Sequence, residues 1–373
     1  MDALPFNPPD PRELATVAGE VFRRRVRAQA LLEAAEYVDS ERRAEIAREI
    51  MVLGAEALPA LFRATNSHQE NKAVLARSLV RLLVPDEVGR QLYQSLQRKK
   101  QSYAIEFGAA LLSRLPYPNL SVERVIRNID ALGIKAGDCI CKQLSVPHEN
   151  IKKVAAERTL DVIKNLSEFW RDEGFCGNND NFYSDRNIYL SDVLERRTGL
   201  PITLSVLYLA LARRVFLNAD GVGMPGHFIV RIRVRTREGD QFVLVDPFNG
   251  ARPLNVEDCR QRVESTGQPF VFEEHLKATP ARDILTRMCN NLLALFDQQK
   301  KTLDAERVAT VLVHLQPRDP VPLLIRAERR LRRGERRGAR HDFQNAKILD
   351  PAGPIGHMAE ELLRRMEYEN SFE

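Results

Sequence analysis

The sequence predicts an α+β protein, mostly helical, with one small antiparallel sheet. Three observations carry this reading. Residues 11 to about 165 space their apolar side chains three or four apart, the helical period. HFIVRIRV (227–234) and QFVLVDPF (241–248) flank the turn-like RTREGD and read as a β-hairpin. From about residue 286 a helical pattern recurs at an offset of 34 residues. Three regions follow: helical 1–165, mixed 166–285 and helical 286–373.

The first region contains ERRAEIAREIMVLGAEALPALFRAT, two helical stretches broken near Gly54. The stretch resembles a HEAT-type helical hairpin, and an ordinary bundle fits it equally. Cys139, Cys141 and His148 lack a standard zinc spacing, so no metal site is expected. Trp170 reads as core at the end of the last of these helices.

The texture changes at GFCGNNDNFYSDRN (174–187), a polar segment rich in turn formers. Asn178, Tyr183 and Asn187 are candidate cleft-lining residues, or else satisfy the loop's own backbone. Cys176 is either an incidental loop cysteine or a thiol brought near a site. TGLPITLSVLYLALARR then predicts a helix from Pro201, proline being favoured at the first helical position. Leu204, Leu207, Leu211 and Val215 form its expected core stripe.

DGVGMPGHFIVRIRV (220–234) holds a G-x-G-x-x-G at Gly221, Gly223 and Gly226. A dinucleotide loop needs a strand before it and a helix after it. Here a helical pattern precedes and a strand follows. The glycines are expected instead to turn the backbone of a helix-to-strand connection and deliver His227 to a strand start.

An even-membered turn within RTREGD puts residues of opposite parity on one face. Asp246 then falls opposite Ile229 or Arg231, a diagonal step or slightly more from His227 and within side-chain reach. A carboxylate accepting from an imidazole fixes its tautomer. Asp246 equally suits the start of the DPFNG turn. Helix start, His, Asp is the chain order of papain-like and transglutaminase-like sites, where the helix end lowers a thiol's pKa.

The segment from GFCGN through GLPITLSVLYLALARR and GMPGHFIVR to LVDPFNG resembles the transglutaminase-like domain of bacterial SirB-type proteins. The resemblance implies a papain-type core, a helix on an antiparallel sheet, with the superfamily's His at His227 and its Asp at Asp246. Its cysteine belongs to the first helical turn, around Pro201–Thr203, where this chain has none. Thr203 is the tentative nucleophile in its place. Ser205 and Arg231 are further binding candidates. A hydroxyl there needs His227 as direct base, and both hydroxyls also suit capping or burial. A polar pocket at a helix N-terminus suits a carboxylate or a peptide C-terminus.

SirB-type proteins also carry C-terminal tetratricopeptide repeats. Ala305 and Pro317 recur here as Ala339 and Pro351, and Ala327, Phe343 and Ala346 fall at the repeat's small, aromatic and small positions. A capping helix is expected near 354–367.

The 373 residues carry a formal charge of +5, and the sum is local. The run from Arg326 to Arg340 is strongly basic, interrupted by Glu328 and Glu335, so a chain-wide nucleic-acid surface is not expected. No apolar run is long enough to span a bilayer, and MDALPFNPPDPREL lacks the features of a secretory signal. Five scattered cysteines suit a reducing compartment, so the expected location is cytoplasmic, with no membrane contact.

The reading favoured is a non-catalytic transglutaminase-like scaffold, with no cofactor, binding a protein or peptide through the repeat-like region. The alternative is an acyl-transfer or amide-hydrolysing enzyme using His227 and Asp246. A third reading is an RNA- or ribosome-associated protein, in which Arg326–Arg340 meets an acidic or nucleic-acid partner.

Overall fold

The helical spacing of the first region becomes α1 (Pro11–Ala34), α2 (Ser40–Leu53), α3 (Leu58–Ala64) and α4 (Glu70–Gln97). A computed structural model describes residues 11–97 and 103–370; the proline-rich start, residues 1–10, lies outside them. The chain divides into two compact units, residues 1–87 and 88–373. In the first, Ala28 and Leu32 of α1 are fully buried, as are Ile50 of α2 and Leu61 of α3. Asp39 caps α2 by accepting from the Arg42 backbone N–H at 2.8 Å. Gly54, at φ 62°, ends α2 in a conformation that glycine adopts most easily, which explains the break in the sequence pattern.

The second unit continues with α5 (Ala104–Leu112), α6 (Val122–Leu144), α7 (Ile151–Glu157) and α8 (Thr159–Asp172). The polar segment follows, with β1 (Cys176–Gly177), α9 (Leu190–Arg196) and β2 (Thr198–Gly199), where β1 and β2 make a short parallel ladder. Next come α10 (Pro201–Arg214), β3 (Ala219–Met224), β4 (His227–Thr236), β5 (Gly239–Asp246) and β6 (Arg252–Leu254). The last four form an antiparallel sheet in the order β3-β4-β5-β6. The chain ends with α11 (Val256–Glu264), α12 (Phe272–His275), α13 (Ala281–Gln298), α14 (Thr302–Leu315), α15 (Val321–Arg332), α16 (Arg336–Leu349) and α17 (Pro354–Asn370).

Two features differ from the sequence reading. The glycine-rich segment is not a helix-to-strand connector; Gly221 and Gly223 lie inside the edge strand β3. Alternating glycines erase the apolar alternation by which a strand is read. They are there because of close approach. A Cβ on Gly221 would stand 2.8 Å from the Phe228 ring, and one on Gly223 would stand 2.8 Å from the Arg287 guanidinium. Helix α10, in turn, has no single buried stripe, since every residue from Pro201 to Ala212 is buried. It runs through the middle of the unit, packed on α5, α6, α9, β3 and β4, so both its faces are core. Glu106, buried on α5, accepts from Arg213 and Arg214 and anchors the helix's C-terminal end.

One face of the sheet builds a core of Val222, Met224, Ile229 and Leu244 with Cys259 and Val263 of α11 and Leu276. Alternation leaves Phe228, Val230 and Ile232, also buried, for the other face.

Helices α13 to α17 each pack on the next. α14 and α16 occupy intervals offset by 34 residues (302 to 336 at their starts). Ala305 and Ala339 are both fully buried, and Ala327, Phe343 and Ala346 join the core between α15, α16 and α17. The basic run is largely turned onto its own unit. Arg326 and Arg330 converge on the fully buried Asp342, Arg329 pairs with Asp297, and Arg330 and Arg333 pair with Glu306. Arg336 donates to the Met366 carbonyl and Arg340 pairs with Glu367. Among the described residues, no helix is long and apolar enough to cross a membrane.

Candidate functional site

Pro225 and Gly226 make the turn between β3 and β4, pairing Met224 with His227; Gly226 takes φ 66° there. His227 therefore opens β4. Between β4 and β5 the two-residue turn Arg237–Glu238 sets the register in which Val230 pairs with Val245. One step on, Asp246 lies opposite Ile229, a diagonal away from His227 and on its face.

The two side chains meet. His227 Nε2 lies 3.0 Å from Asp246 Oδ2, with both residues buried. Asp246 also accepts from the Asn249 side chain at 2.7 Å and from the Asn249 backbone N–H, so it serves the DPFNG turn and the histidine at once. Burial works to raise the Asp246 carboxyl. The His227 hydrogen bond and charge, the Asn249 amide and the Arg262 charge outweigh it, and the carboxyl ends below the ordinary carboxylate value. An ionised carboxylate only accepts, so the proton between the two side chains is carried by Nε2.

His227 lines a cavity of about 290 Å³ at the start of α10. Leu200, Pro201 and Ile202 form its helix-end wall, Phe182, Tyr183 and Ser184 come from the polar segment, and α13 contributes Arg287, Asn291, Ala294, Leu295 and Gln298. Leu200 gives α10 no side-chain cap. Its own N–H is held by the Asn187 carbonyl at 2.9 Å.

The residues singled out in the sequence divide between the cavity and its supports. His227 and Tyr183 line the cavity. Thr203 does not; its hydroxyl donates to the Ile188 carbonyl at 3.2 Å. Ser205 donates to the Phe228 carbonyl at 3.1 Å and ties α10 to β4. Asn187 is fully buried, and its amide holds the carbonyls of Asn181 and Phe182. Asn178 donates to the Asn187 side chain at 3.0 Å. These two asparagines shape the loop rather than face the cavity. Arg231 pairs with Asp220, reaches the Leu276 carbonyl and covers the Phe242 ring, all away from the cavity. Cys176 is exposed on β1 and is not in the cavity lining. Outside the site, His148 pairs with Asp138, and the Cys141 thiol sits against the Pro147 carbonyl.

Arg287 and Asn291 were not singled out in the sequence. Arg287 donates to the carbonyls of Met224 at 2.7 Å and His227 at 2.9 Å and so holds the turn that presents the histidine. Positions 287, 291, 294 and 298 recur at helical spacing. That small-and-polar stripe beside the apolar one was the available signal.

A buried His–Asp pair on a sheet, facing a cavity at the uncapped start of a buried helix, is the arrangement of a transglutaminase-like domain. Residues 138–290 match the model of the transglutaminase-like superfamily, and the chain carries such a domain. A UPF0162 protein of Xylella fastidiosa is 38% identical over 184 residues, 48% of this chain and 64% of the relative. A UPF0162 protein of Pseudomonas aeruginosa is 29% identical over 202 residues, 54% of this chain and 67% of that protein. Human F-box only protein 21 is 31% identical over 130 residues, 32% of this chain and 19% of that protein. The match to the Xylella relative thus spans less than two thirds of its length. No solved structure matches the chain significantly.

Proposed function

We propose that the transglutaminase-like domain is a binding module, capturing a peptide segment at the cavity beside His227 without turning it over. The observation that carries this reading is the first turn of α10. It gives the cavity Pro201 and Ile202, whose side chains have no nucleophilic atom, while the Thr203 hydroxyl is turned to a backbone carbonyl. Acyl transfer of this type needs a nucleophile within hydrogen-bond reach of its base. In this reading the helices α13 to α17 act as tetratricopeptide-type repeats, and the protein is a cytoplasmic scaffold. Arg332 and Arg337, exposed and without ion pairs among the described residues, are the arginines of the basic run left for an acidic partner.

A second reading keeps an enzyme. His227 and Ser184 line one cavity, which suits a serine nucleophile with the imidazole as its base. The test is transfer of dansylcadaverine into casein, together with product release from labelled peptides. Wild type, His227→Ala and Ser184→Ala are compared. No product from any of them is the expected result. Turnover in the wild type that both substitutions abolish overturns the binding-module reading.

A further inference from the structure

We infer that the cavity beside His227 takes the free carboxylate at the end of a short apolar peptide, with Arg287 as its charge partner. The inference rests on the binding-module reading and names that module's ligand class.

Among the described residues the Arg287 guanidinium donates only to the carbonyl oxygens of Met224 and His227, and it lies 5.6 Å from the centre of the Phe228 ring. Among the described residues no carboxylate pairs with it. Carbonyl oxygens satisfy N–H groups but leave a net charge uncompensated. Arg287 is half-buried, and a cation partly withdrawn from water beside apolar walls is costly until an anion meets it. Burial pushes this guanidinium's pKa down, and no neighbouring carboxylate raises it again. The Asp246 charge is not the missing partner, since His227, Asn249 and Arg262 already meet it.

The rest of the lining fits the same ligand. No Asp or Glu borders the cavity to repel an anion. Phe182, Ile188, Leu200, Ile202, Phe228 and Leu295 supply apolar wall. The start of α10 has no side-chain cap, so its positive end favours negative charge. Asn291, one helical turn from Arg287, makes no hydrogen bond among the described residues and leaves an amide donor at the wall. A volume of about 290 Å³ is at the small end of ligand pockets, which limits the occupant to one or two residues. A chain end meets all these conditions. A mid-chain peptide group has no charge for Arg287.

The experiment is calorimetric titration of the full chain with N-acetyl-Phe-Leu, as the free acid and as the C-terminal amide. The free acid should bind about tenfold or more tightly than the amide, the worth of one charge-assisted hydrogen bond. In Arg287→Met the two should bind alike, and in Arg287→Lys the preference for the acid should return in part. Thermal melting checks that each variant folds; should Arg287→Met fail to fold, the wild-type acid-to-amide ratio and Arg287→Lys still decide. Equal binding of acid and amide overturns the carboxylate assignment and leaves the binding module standing. Absence of binding by both peptides overturns the two together.

Discussion

His227 Nε2 and Asp246 Oδ2 stand 3.0 Å apart at the end of the sheet, 3% and 0% exposed respectively. The carboxyl group is held below its ordinary value, so its contribution to stability depends on pH in a definite direction. It is fully present above the unfolded-state value of about 3.9 and is lost as pH falls through the lower folded-state value. Replacing Asp246 with Ala should cost about 1–3 kcal/mol at neutral pH by leaving His227 unpaired. Urea unfolding from pH 7 downward should show the gap between wild type and Asp246→Asn closing only below the ordinary carboxylate range. A gap that closes between pH 7 and 5 would contradict this account.

Asp342 is fully buried and receives both Arg326 and Arg330. Removing one partner of a buried ion cluster strands the others, so Asp342→Ala should cost about 3–5 kcal/mol. Arg329→Glu should destabilise severely as well, because it sets a carboxylate against Asp297 in a buried position. Arg332→Glu and Arg337→Glu, both on the exposed side, should stay within about 0.5 kcal/mol of wild type. Chemical denaturation of the four variants checks the contrast.

The thiols should react in order of exposure. Cys176 is exposed, whereas burial pushes Cys259 up to about 11 and Cys289 up to about 12. Ellman's reagent at pH 8 should modify Cys176 first in the folded protein and reach Cys259 and Cys289 only after denaturation. Peptide binding measured after the first thiol is blocked should be unchanged, since Cys176 is outside the cavity lining.

Gly221→Ala places a methyl group 2.8 Å from the Phe228 ring, and Gly223→Ala places one 2.8 Å from Arg287. Each should cost about 1–3 kcal/mol through overpacking. The two should differ in function. Displacing Arg287 should weaken capture of the acid peptide, while shifting Phe228 should weaken acid and amide alike. Melting curves and the same titrations separate the two effects.

The hairpin, the start of α10 at Pro201 and the approach of His227 to Asp246 were all legible in the sequence, because period, proline placement and turn parity are local properties. The strand β3 was not, since its pattern is interrupted by the glycines that let Phe228 and Arg287 close in. Nor was the far wall of the cavity. Arg287 and Asn291 belong to α13, a helix read with the C-terminal repeat, and nothing in one dimension shows that it folds back over the start of α10. The arginine run misleads in the same way. Eight like charges in fifteen positions look like a surface until their acidic partners, Asp297, Glu306 and Asp342, arrive from other helices.

Trp170 is the chain's single tryptophan, and its indole N–H donates to the Pro247 carbonyl at 3.0 Å, one residue beyond Asp246. Its ring is fully buried and stacks on Phe175 at 4.4 Å. The protein thus has a built-in optical reporter wired to the turn that holds the carboxylate. Any event that shifts Asp246 should change the emission of one fluorophore, with no background from a second and no label attached.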